Sequence, residues 1–481
     1  MTLRRLATPW APSGARAYSL PGSFVLKLAL GEAPDDTPSA VDVRRGAQPI
    51  AQSLDGGVVD RIVGRYAGGV RACRLHAAAA SLGSIGQRHL GFDEVEQVTG
   101  VARTFLVSTP LGAPIADLID ALSQVTTVES ASPNYVCVTP YEAPARPGAP
   151  TGDDDPWAAR TMIRAPEALA YEPGDPAQLV GLIDSGVAFE HPEMDGRLRA
   201  GFDTVQLGGD DVAPGVTLLG DHARGDRDPV DRFVGHGMGC AGIISALGLG
   251  MPPGLAGLSQ IIPMRALGAA KLPGKANPVG LGAIADLDAA VKRAVDLGAK
   301  VLNMSFGTDD AALAPSSPKP HADVVAYALS RGCILVAASG NNGQETRYWP
   351  AAYPGVLAVG AVDDKRRPTS FSTRGDHVAL CAPGERVLTA GLQGYQSATG
   401  TSFAAPFVAA VAALLCARAA RRATPLDAAI VAMLLTRSAQ PFAGPPVAGC
   451  GAGILDAAAA LVALDAFIDA SLPEEETADD G

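Results

Sequence analysis

Three short segments of the chain carry side chains that together can support nucleophilic attack on a carbonyl carbon. Asp184 ends the apolar run Leu179–Ile183, His236 lies between two glycines, and Ser402 lies within Gly400–Pro406. A serine hydroxyl is a poor nucleophile at neutral pH, so it needs a base to take its proton. That base, here His236, needs a further group that fixes its tautomer, here Asp184. These residue types predict a serine-dependent hydrolytic mechanism.

Each of these residues also has a purely structural interpretation. Asp184 could cap a turn, His236 could be a hydrogen-bonded core histidine, and Ser402 could be a helix N-cap. For an isolated residue we would favour that interpretation. A fourth segment, Ala338–Gly343, lies between the histidine and the serine, and all four segments lie at the end of a predicted strand or helix. The structural interpretation would therefore need a coincidence.

The predicted elements around these motifs alternate between buried strands and amphipathic helices. Leu179–Ile183 is a strand, Asp286–Leu297 is a helix that precedes the strand Lys300–Ser305, and Val324–Ser330 is a helix that precedes the strand Cys333–Ala337. Strands buried on both faces form continuous apolar runs, and crossover helices connect parallel strands. The pattern predicts a three-layer α/β domain with a mostly parallel sheet and functional groups at its strand ends.

The ordered motifs resemble those of the subtilisin-like serine proteases, the subtilase family, over roughly residues 156–460. The resemblance implies that Ser402 is the nucleophile, that His236 acts as general base and then acid, and that Asp184 orients it. It also implies that Asn341 and the backbone N–H of Ser402 donate hydrogen bonds to the tetrahedral oxyanion. The substrate-binding residues that it implies are Ser305, Phe306, Gly307, Gly340 and Asn342.

The N-terminal part of the chain has a different pattern, in which short strands and helices alternate from Ser23–Leu28 onward. This alternation resembles the small α+β, ferredoxin-like inhibitory propeptides of the family. A permanent N-terminal module unrelated to inhibition is the alternative. The expected organisation is a flexible N-terminus at 1–21, a propeptide-like domain at 22–140, a linker with a processing site at 141–155, a subtilisin-like catalytic domain at 156–466 and an acidic disordered tail at 467–481.

The predicted chemistry requires no cofactor, and the residues give little support to a structural calcium ion. The segment Leu247–Gly254 lacks the Asn and Asp side chains that are common in the main calcium loop of the family. Hard cations need several oxygen ligands. Glu193, Asp226, Asp228 and Asp231 could contribute to another calcium site, or they could be solvated surface acids.

Composition and charge argue against several kinds of partner. The formal net charge of −12 disfavours nucleic acid, and we find no apolar run of about 20 residues that would span a membrane. The first residues lack the apolar segment of a secretory signal, and the seven cysteines are scattered, as expected for reduced, buried thiols. These features predict a cytoplasmic protein, with unconventional export or an upstream start site as alternatives.

Together these features predict a serine endopeptidase that acts on peptides or proteins and is made as a zymogen, with its own N-terminal domain as intramolecular inhibitor. One alternative is a peptide-processing transferase or macrocyclase, in which an amine instead of water intercepts the same acyl-enzyme. Another is a regulatory binding protein whose site stays permanently blocked. The sequence does not name the scissile bond or the substrate preference.

Overall fold

The computed structural model describes residues 19–79, 91–139, 155–208, 212, 215–223, 225–313, 317–445 and 447–471. The strands are β1 (Ser19–Leu28), β2 (Ala72–Arg74), β3 (Thr104–Ser108), β4 (Val128–Val138), β5 (Leu179–Asp184), β6 (Phe202–Asp203), β7 (Thr217–Leu219), β8 (Gln260–Arg265), β9 (Gly268–Lys271), β10 (Val279–Ala283), β11 (Val301–Met304), β12 (Thr308–Asp309), β13 (Ile334–Ala338), β14 (Tyr348–Trp349), β15 (Val356–Val362), β16 (Val378–Pro383), β17 (Val387–Ala390) and β18 (Tyr395–Ala398). The helices are α1 (Ala40–Arg44), α2 (Val58–Ala67), α3 (Glu94–Thr99), α4 (Ile115–Leu122), α5 (Ala158–Met162), α6 (Ala165–Tyr171), α7 (His236–Ser245), α8 (Ile284–Asp296), α9 (Ala322–Ser330), α10 (Thr401–Arg421), α11 (Ala428–Arg437) and α12 (Ala457–Ser471).

A seven-stranded parallel sheet forms the centre of the larger part of the protein. Its strand order is β16-β15-β13-β11-β5-β8-β6, and every neighbouring pair is parallel. The side chains of β5 alternate between two cores. Val180 and Leu182 pack with α7 and α10 on one face, whereas Ile183 packs with α8 and α9 on the other. The predicted three-layer α/β architecture with a mostly parallel sheet is therefore confirmed.

A second, wholly antiparallel sheet links the N-terminal part of the chain to the rest. Its order is β2-β3-β1-β4-β10-β9-β7, so the first four strands come from residues 19–138 and the last three from the larger part. The pair β4–β10 makes the connection, with Cys137 opposite Gly282. On the N-terminal side, α2 and α4 contribute Val63 and Leu118 to a separate apolar core beneath β1, β3 and β4.

Helix α10 corrects the expectation that the chain has no segment long and apolar enough to span a bilayer. This helix of 21 residues has a mean hydropathy of 1.9 over its most apolar window. That window is 89% buried inside the protein, where α10 packs against β11, β13 and β15. A central core helix meets the same length and composition criteria as a membrane span.

Two predicted segment boundaries are wrong. Strand β1 begins at Ser19, three residues inside the predicted flexible N-terminus, because it pairs with β4 there. Helix α12 continues to Ser471, so the predicted disordered tail begins too early. Ile468 is buried in the core and Asp469 pairs with Arg422, which explains the extension. The predicted linker lies almost entirely outside the described residues.

Candidate active site

Asp184 lies at the carboxyl end of β5, in the interior of the parallel sheet, and its side chain is buried. Its Oδ1 accepts hydrogen bonds from Nδ1 of His236 at 2.6 Å and from the backbone N–H of Ser185 at 2.7 Å. Because an ionised carboxylate can only accept, the imidazole carries a proton on Nδ1. Nε2 is then the basic nitrogen, which is the tautomer that general-base catalysis requires.

His236 is the first residue of α7, and two glycines bring it close to β5. Gly235 has a φ of +78°, a left-handed conformation that favours glycine. A Cβ on Gly237 would lie 2.3 Å from the carbonyl oxygen of Gly186 and 3.1 Å from the Cβ of Asp184. Glycine at this position therefore allows the helix to approach the strand closely enough for the 2.6 Å hydrogen bond.

Asp231 organises the loop that leads to this histidine, a role that the sequence analysis missed. Its buried carboxylate accepts hydrogen bonds from the backbone N–H groups of residues 233–235 and from the hydroxyl of Ser185 at 2.7 Å. The Ser185 oxygen in turn accepts from the N–H of Gly237 at 2.9 Å. Burial raises the pKa of Asp231 above its usual value, and these four donors oppose the rise. Asp231 is thus a positioning residue for His236.

Ser402 is the second residue of α10, directly after the glycine-initiated turn at Gly400. Its side chain is 3% exposed, and its hydroxyl donates a hydrogen bond of 3.3 Å to the backbone oxygen of Ser305. The first backbone N–H groups of a helix have no partner within the helix and carry the positive end of its dipole. Negative charge that develops beside Ser402 would meet these donors.

Two contacts join the N-terminal ends of α7 and α10. The Sγ of Cys240, one turn after His236, donates to the backbone oxygen of Ser402 at 3.3 Å. The ring of Phe403 lies 5.2 Å from the imidazole, centroid to centroid. Burial and the nearby Asp184 carboxylate raise the pKa of the Cys240 thiol well above its usual value, so it remains a protonated donor. The structure therefore assigns this thiol a packing role.

Asn341 lies in the loop after β13, with its side chain held in one orientation. Its Oδ1 accepts hydrogen bonds from the backbone N–H of Thr401 at 2.8 Å and from the Thr401 hydroxyl at 2.9 Å. With the oxygen engaged in this way, the amide NH₂ group is the end that is presented as a donor. The preceding Gly340 has a φ of +109°, and a Cβ there would lie 2.7 Å from the side chains of Thr373 and Tyr348.

Ser305, Phe306 and Gly307 directly follow β11. The Ser305 hydroxyl accepts from Asn303 at 2.9 Å, and Phe306 is 4% exposed. The ring of Phe306 contacts the imidazole of His321 edge-on at 5.4 Å. His321 forms a buried pair with Asp288 at 2.5 Å, and although burial lowers the pKa of His321, that carboxylate raises it to about 9. A buried charged pair beneath the predicted substrate strand could not be foreseen from the sequence.

Asn342, which was predicted to bind substrate, uses its side chain within the protein. Its Nδ2 donates to Asp309 at 2.9 Å, and its Oδ1 accepts from the hydroxyl of Thr373 at 2.8 Å. Both ends of the amide are thus engaged in bracing the loop that carries Asn341. A direct contact of this side chain with substrate remains a prediction.

Glu193 contacts the loop at 247–254, where the resemblance to the subtilases suggests a calcium ion, so its contacts test whether the residues fit that ion. Its carboxylate accepts hydrogen bonds from the backbone N–H groups of residues 248–250 and from the hydroxyl of Tyr395. Burial raises the pKa of Glu193, but these four donors outweigh it and hold the pKa below its usual value. A cation needs oxygen ligands, whereas here the loop presents N–H groups to the carboxylate. The residues at this place do not fit calcium.

The other predicted calcium acids do not converge on one point among the described residues. Asp231 is turned inward by its four donors, whereas Asp226 and Asp228 are exposed on the surface. The Oδ1 of Asp226 accepts from the backbone N–H of Asp228 at 2.7 Å. These three residues give no shared cation site in the part of the chain that the structure describes.

The sequence profile of the subtilase family matches residues 175–459, which is more than half of the chain and includes all four motifs. The chain therefore belongs to the subtilase family. It is 33% identical over 302 residues to the thermophilic serine proteinase of Bacillus sp. (strain AK1), covering 62% of this chain and 65% of that protein. It is 32% identical over 272 residues to thermitase of Thermoactinomyces vulgaris, covering 56% of this chain and 84% of that protein.

Solved structures agree with this assignment. The prenylagaramide maturation protease PagA is 27% identical with a TM-score of 0.50, covering 62% of this chain and 98% of that chain. A protease of Pseudoalteromonas arctica PAMC 21717 is 24% identical with a TM-score of 0.53, covering 66% of this chain and 99% of that chain, and this likeness concerns the fold alone.

We expect Asp231→Asn to lower kcat with little change in KM. The amide NH₂ of asparagine is a donor, and it would face the N–H and O–H donors that the Asp231 carboxylate accepts, so the loop before His236 would be held less firmly. Leaving buried donors unpaired should also lower the free energy of unfolding by about 1–3 kcal/mol. Peptide hydrolysis kinetics and thermal denaturation measure the two effects. Asp228→Asn, an exposed acid in the same loop, is the matched control. Equal kinetics for both variants would show that Asp231 does not position the histidine.

The Glu193 interaction predicts stability that depends on pH but not on calcium. A carboxylate whose folded pKa is depressed stabilises the fold above its unfolded pKa of about 4.3, and this contribution is lost as pH falls. Glu193→Gln should therefore lower Tm at pH 7 and have a smaller effect near pH 3. Excess EDTA or added calcium should change Tm by the same amount in wild type and in Glu193→Gln. A calcium-dependent rise that disappears in Glu193→Gln would contradict this assignment.

Proposed function

We propose that this chain is a serine endopeptidase that hydrolyses peptide bonds through an acyl-enzyme on Ser402 and is made as an autoinhibited zymogen. The observation that carries the proposal is the buried 2.6 Å hydrogen bond between His236 and Asp184, beside the helix end at which Ser402 lies. Membership of the subtilase family and the similarity to proteins named as serine proteinases support the proposal.

In the proposed reaction, Nε2 of His236 takes the proton of the Ser402 hydroxyl as its oxygen attacks the scissile carbonyl carbon. Asp184 stabilises the imidazolium that forms. The oxyanion accepts hydrogen bonds from the side-chain amide of Asn341 and from the backbone N–H of Ser402. His236 then gives the proton to the leaving amine, and a water molecule repeats the sequence to release the acid product.

The N-terminal domain is proposed as the inhibitor. Its antiparallel strand order, β2-β3-β1-β4 with α2 and α4 on one face, is the order of a ferredoxin-like βαββαβ unit and supports that expectation. Its last strand pairs with β10 through residues 136–138. Cys137 Sγ lies 3.2 Å from the hydroxyl of Thr308, which directly follows Gly307. An extended substrate that pairs with the residues after β11 would meet β4, the last strand of the inhibitor, at Thr308.

Contacts at several points hold this domain on the catalytic part. Lys292 and Glu96 form a fully buried ion pair at 2.7 Å, and removal of one partner of such a pair typically costs about 3–5 kcal/mol. The side-chain oxygen of Asn134 accepts from the N–H of Ala285 at 3.2 Å, in the first turn of α8. These contacts fit a domain that stays bound until the chain is cut or the interface is disrupted.

A peptide-processing transferase or macrocyclase is the second candidate. The similarity to a solved structure named as a maturation protease favours it, because maturation of a peptide can end in hydrolysis or in transfer to an amine. The same Ser402 acyl-enzyme serves both outcomes. The mass of the product distinguishes them, since hydrolysis adds one water and transfer does not.

Ser402→Ala should abolish self-cleavage of the full chain. Intact mass over time is expected to show that wild type splits between about residues 138 and 156 while the alanine variant stays whole, because alanine has no hydroxyl with which to form the acyl-enzyme. The exposed Ser370→Ala is the control and should split like wild type. Wild type that neither splits nor reacts with a fluorophosphonate probe would leave the regulatory binding protein as the remaining interpretation.

Asn341→Ala should lower kcat by roughly 10²–10³ with little change in KM, because an oxyanion donor acts mainly in the transition state. Steady-state kinetics on a peptide substrate measure both constants, and thermal denaturation checks that the variant is folded. A kcat close to that of wild type would remove Asn341 from the mechanism.

A further inference from the structure

A cavity of about 50 Å³ lies at the junction of the N-terminal domain and the catalytic part, away from Ser402. Helix α1 of the N-terminal domain contributes Arg44 and Arg45 to its wall, and α8 contributes Arg293. Residues of both parts of the chain therefore line one cavity that is partly open to solvent, where Arg45 is exposed. Nothing in the proposed peptide hydrolysis uses these side chains.

The cavity has an excess of positive charge. Arg44, Arg45 and Arg293 form no ion pair with any carboxylate in the described part of the chain. Two of the lining acids have a cationic partner, because Asp203 pairs with Arg265 and Asp296 pairs with Lys292, which also pairs with Glu96. The four lining cations, which include Lys292, exceed the three lining acids by one positive charge.

The guanidinium groups of Arg293 and of Arg227, a residue outside the cavity lining, lie over one ring, that of Phe202. The Arg293 guanidinium lies over the ring of Phe202 at 4.3 Å, and that of Arg227 lies at 5.6 Å from the same ring. Burial lowers the pKa of Arg293 to about 10, and the charges of Arg44, Arg45 and Arg227 act in the same direction, against Asp296. Like charges repel, so the grouping of these cations around one cavity has an energetic cost in the absence of an anion.

A buried polar atom provides an independent observation. His76 lines the same cavity and is 3% exposed, and its Nδ1 has no hydrogen-bond partner among the described residues. A buried polar atom without a partner costs free energy, and bound water or a ligand usually satisfies it. Burial and the nearby Lys292 lower the pKa of His76 well below its usual value, so the ring is neutral. A neutral ring with a proton on Nδ1 would donate to an anion.

We propose that this cavity binds a small oxyanion, such as inorganic phosphate, between the N-terminal domain and the catalytic part. Guanidinium groups bind tetrahedral oxyanions through paired N–H donors, and such charge-assisted hydrogen bonds are stronger than neutral ones. A water molecule needs roughly 10–15 Å³ of comparable volume, so the space suits a few waters or one such ion. The lining ring of Phe202 is covered by the guanidinium groups of Arg293 and Arg227, so a nucleoside attached to the phosphate would gain little stacking there.

The anion would act as a bridge between the two parts of the chain. It would contact α1 on one side and α8 on the other, so its binding would stabilise the docked arrangement by mass action. If the N-terminal domain is the inhibitor, as proposed above, phosphate would slow its release. This consequence rests on the proposed function, whereas the binding site itself does not.

The test uses the full chain carrying Ser402→Ala, which keeps the N-terminal domain attached whether or not wild type is active. Titration calorimetry with inorganic phosphate at constant ionic strength should show saturable binding and a rise in Tm. Adding Arg45→Gln and Arg293→Gln should weaken binding at least tenfold. The matched control adds Arg61→Gln and Arg437→Gln, which are exposed residues elsewhere with the same loss of charge, and should bind like the parent.

Two further measurements make the test decisive. In phosphate-free buffer the Arg45/Arg293 double variant should be at least as stable as the parent, because removal of crowded cations relieves repulsion. Adenosine monophosphate should bind more weakly than phosphate. Absence of saturable binding, equal binding by both double variants, or tighter binding of the nucleotide would overturn the proposal. Phosphate binding by a chain whose wild type lacks peptidase activity would contradict the proposed function alone.

Discussion

The hydrogen bond between the buried carboxylate of Asp184 and His236 is the interaction on which the rest of the site depends. A buried carboxylate needs hydrogen-bond donors, and Oδ1 of Asp184 receives two, from the backbone N–H of Ser185 and from His236 at the start of α7. This requirement explains why glycine occupies position 237, where a side chain would separate helix and strand. It also explains the inward-turned Asp231, which fixes the loop before the histidine.

The residues placed at element ends were predictable from the sequence because their signals are local. An apolar run that ends in Asp184, a glycine before His236 and a glycine before Ser402 mark strand and helix termini without knowledge of the partner. The parallel sheet followed from buried runs that alternate with helices. From the sequence, Asp231 and Glu193 could be identified only as acidic residues. Most of their hydrogen-bond donors are backbone N–H groups, which residue types do not reveal.

The misplaced boundaries have the same physical origin. Residues 467–471 precede the acidic segment 473–480 and are predicted to belong to the same tail, yet burial of Ile468 and pairing of Asp469 with Arg422 extend α12 through them. Strand β1 similarly starts early because β4 offers a partner at Ser19. Helix α10 resembles a membrane span by composition because a core helix surrounded by protein has the same need for apolar side chains on every face.

The antiparallel sheet continues from β4 to β10 and so joins the N-terminal domain to the catalytic part, which bears on the proposed inhibition. A domain that is held by a shared sheet, by the buried Lys292–Glu96 pair and by the Asn134 bond to α8 cannot leave through a single local change. Its proposed release would require that several pairings break together, and the charged groups then exposed would regain water. The stability of the proposed inhibited state therefore rests on backbone pairing, on the buried ion pair and on apolar contacts such as those of Leu20 and Val138 with Leu281.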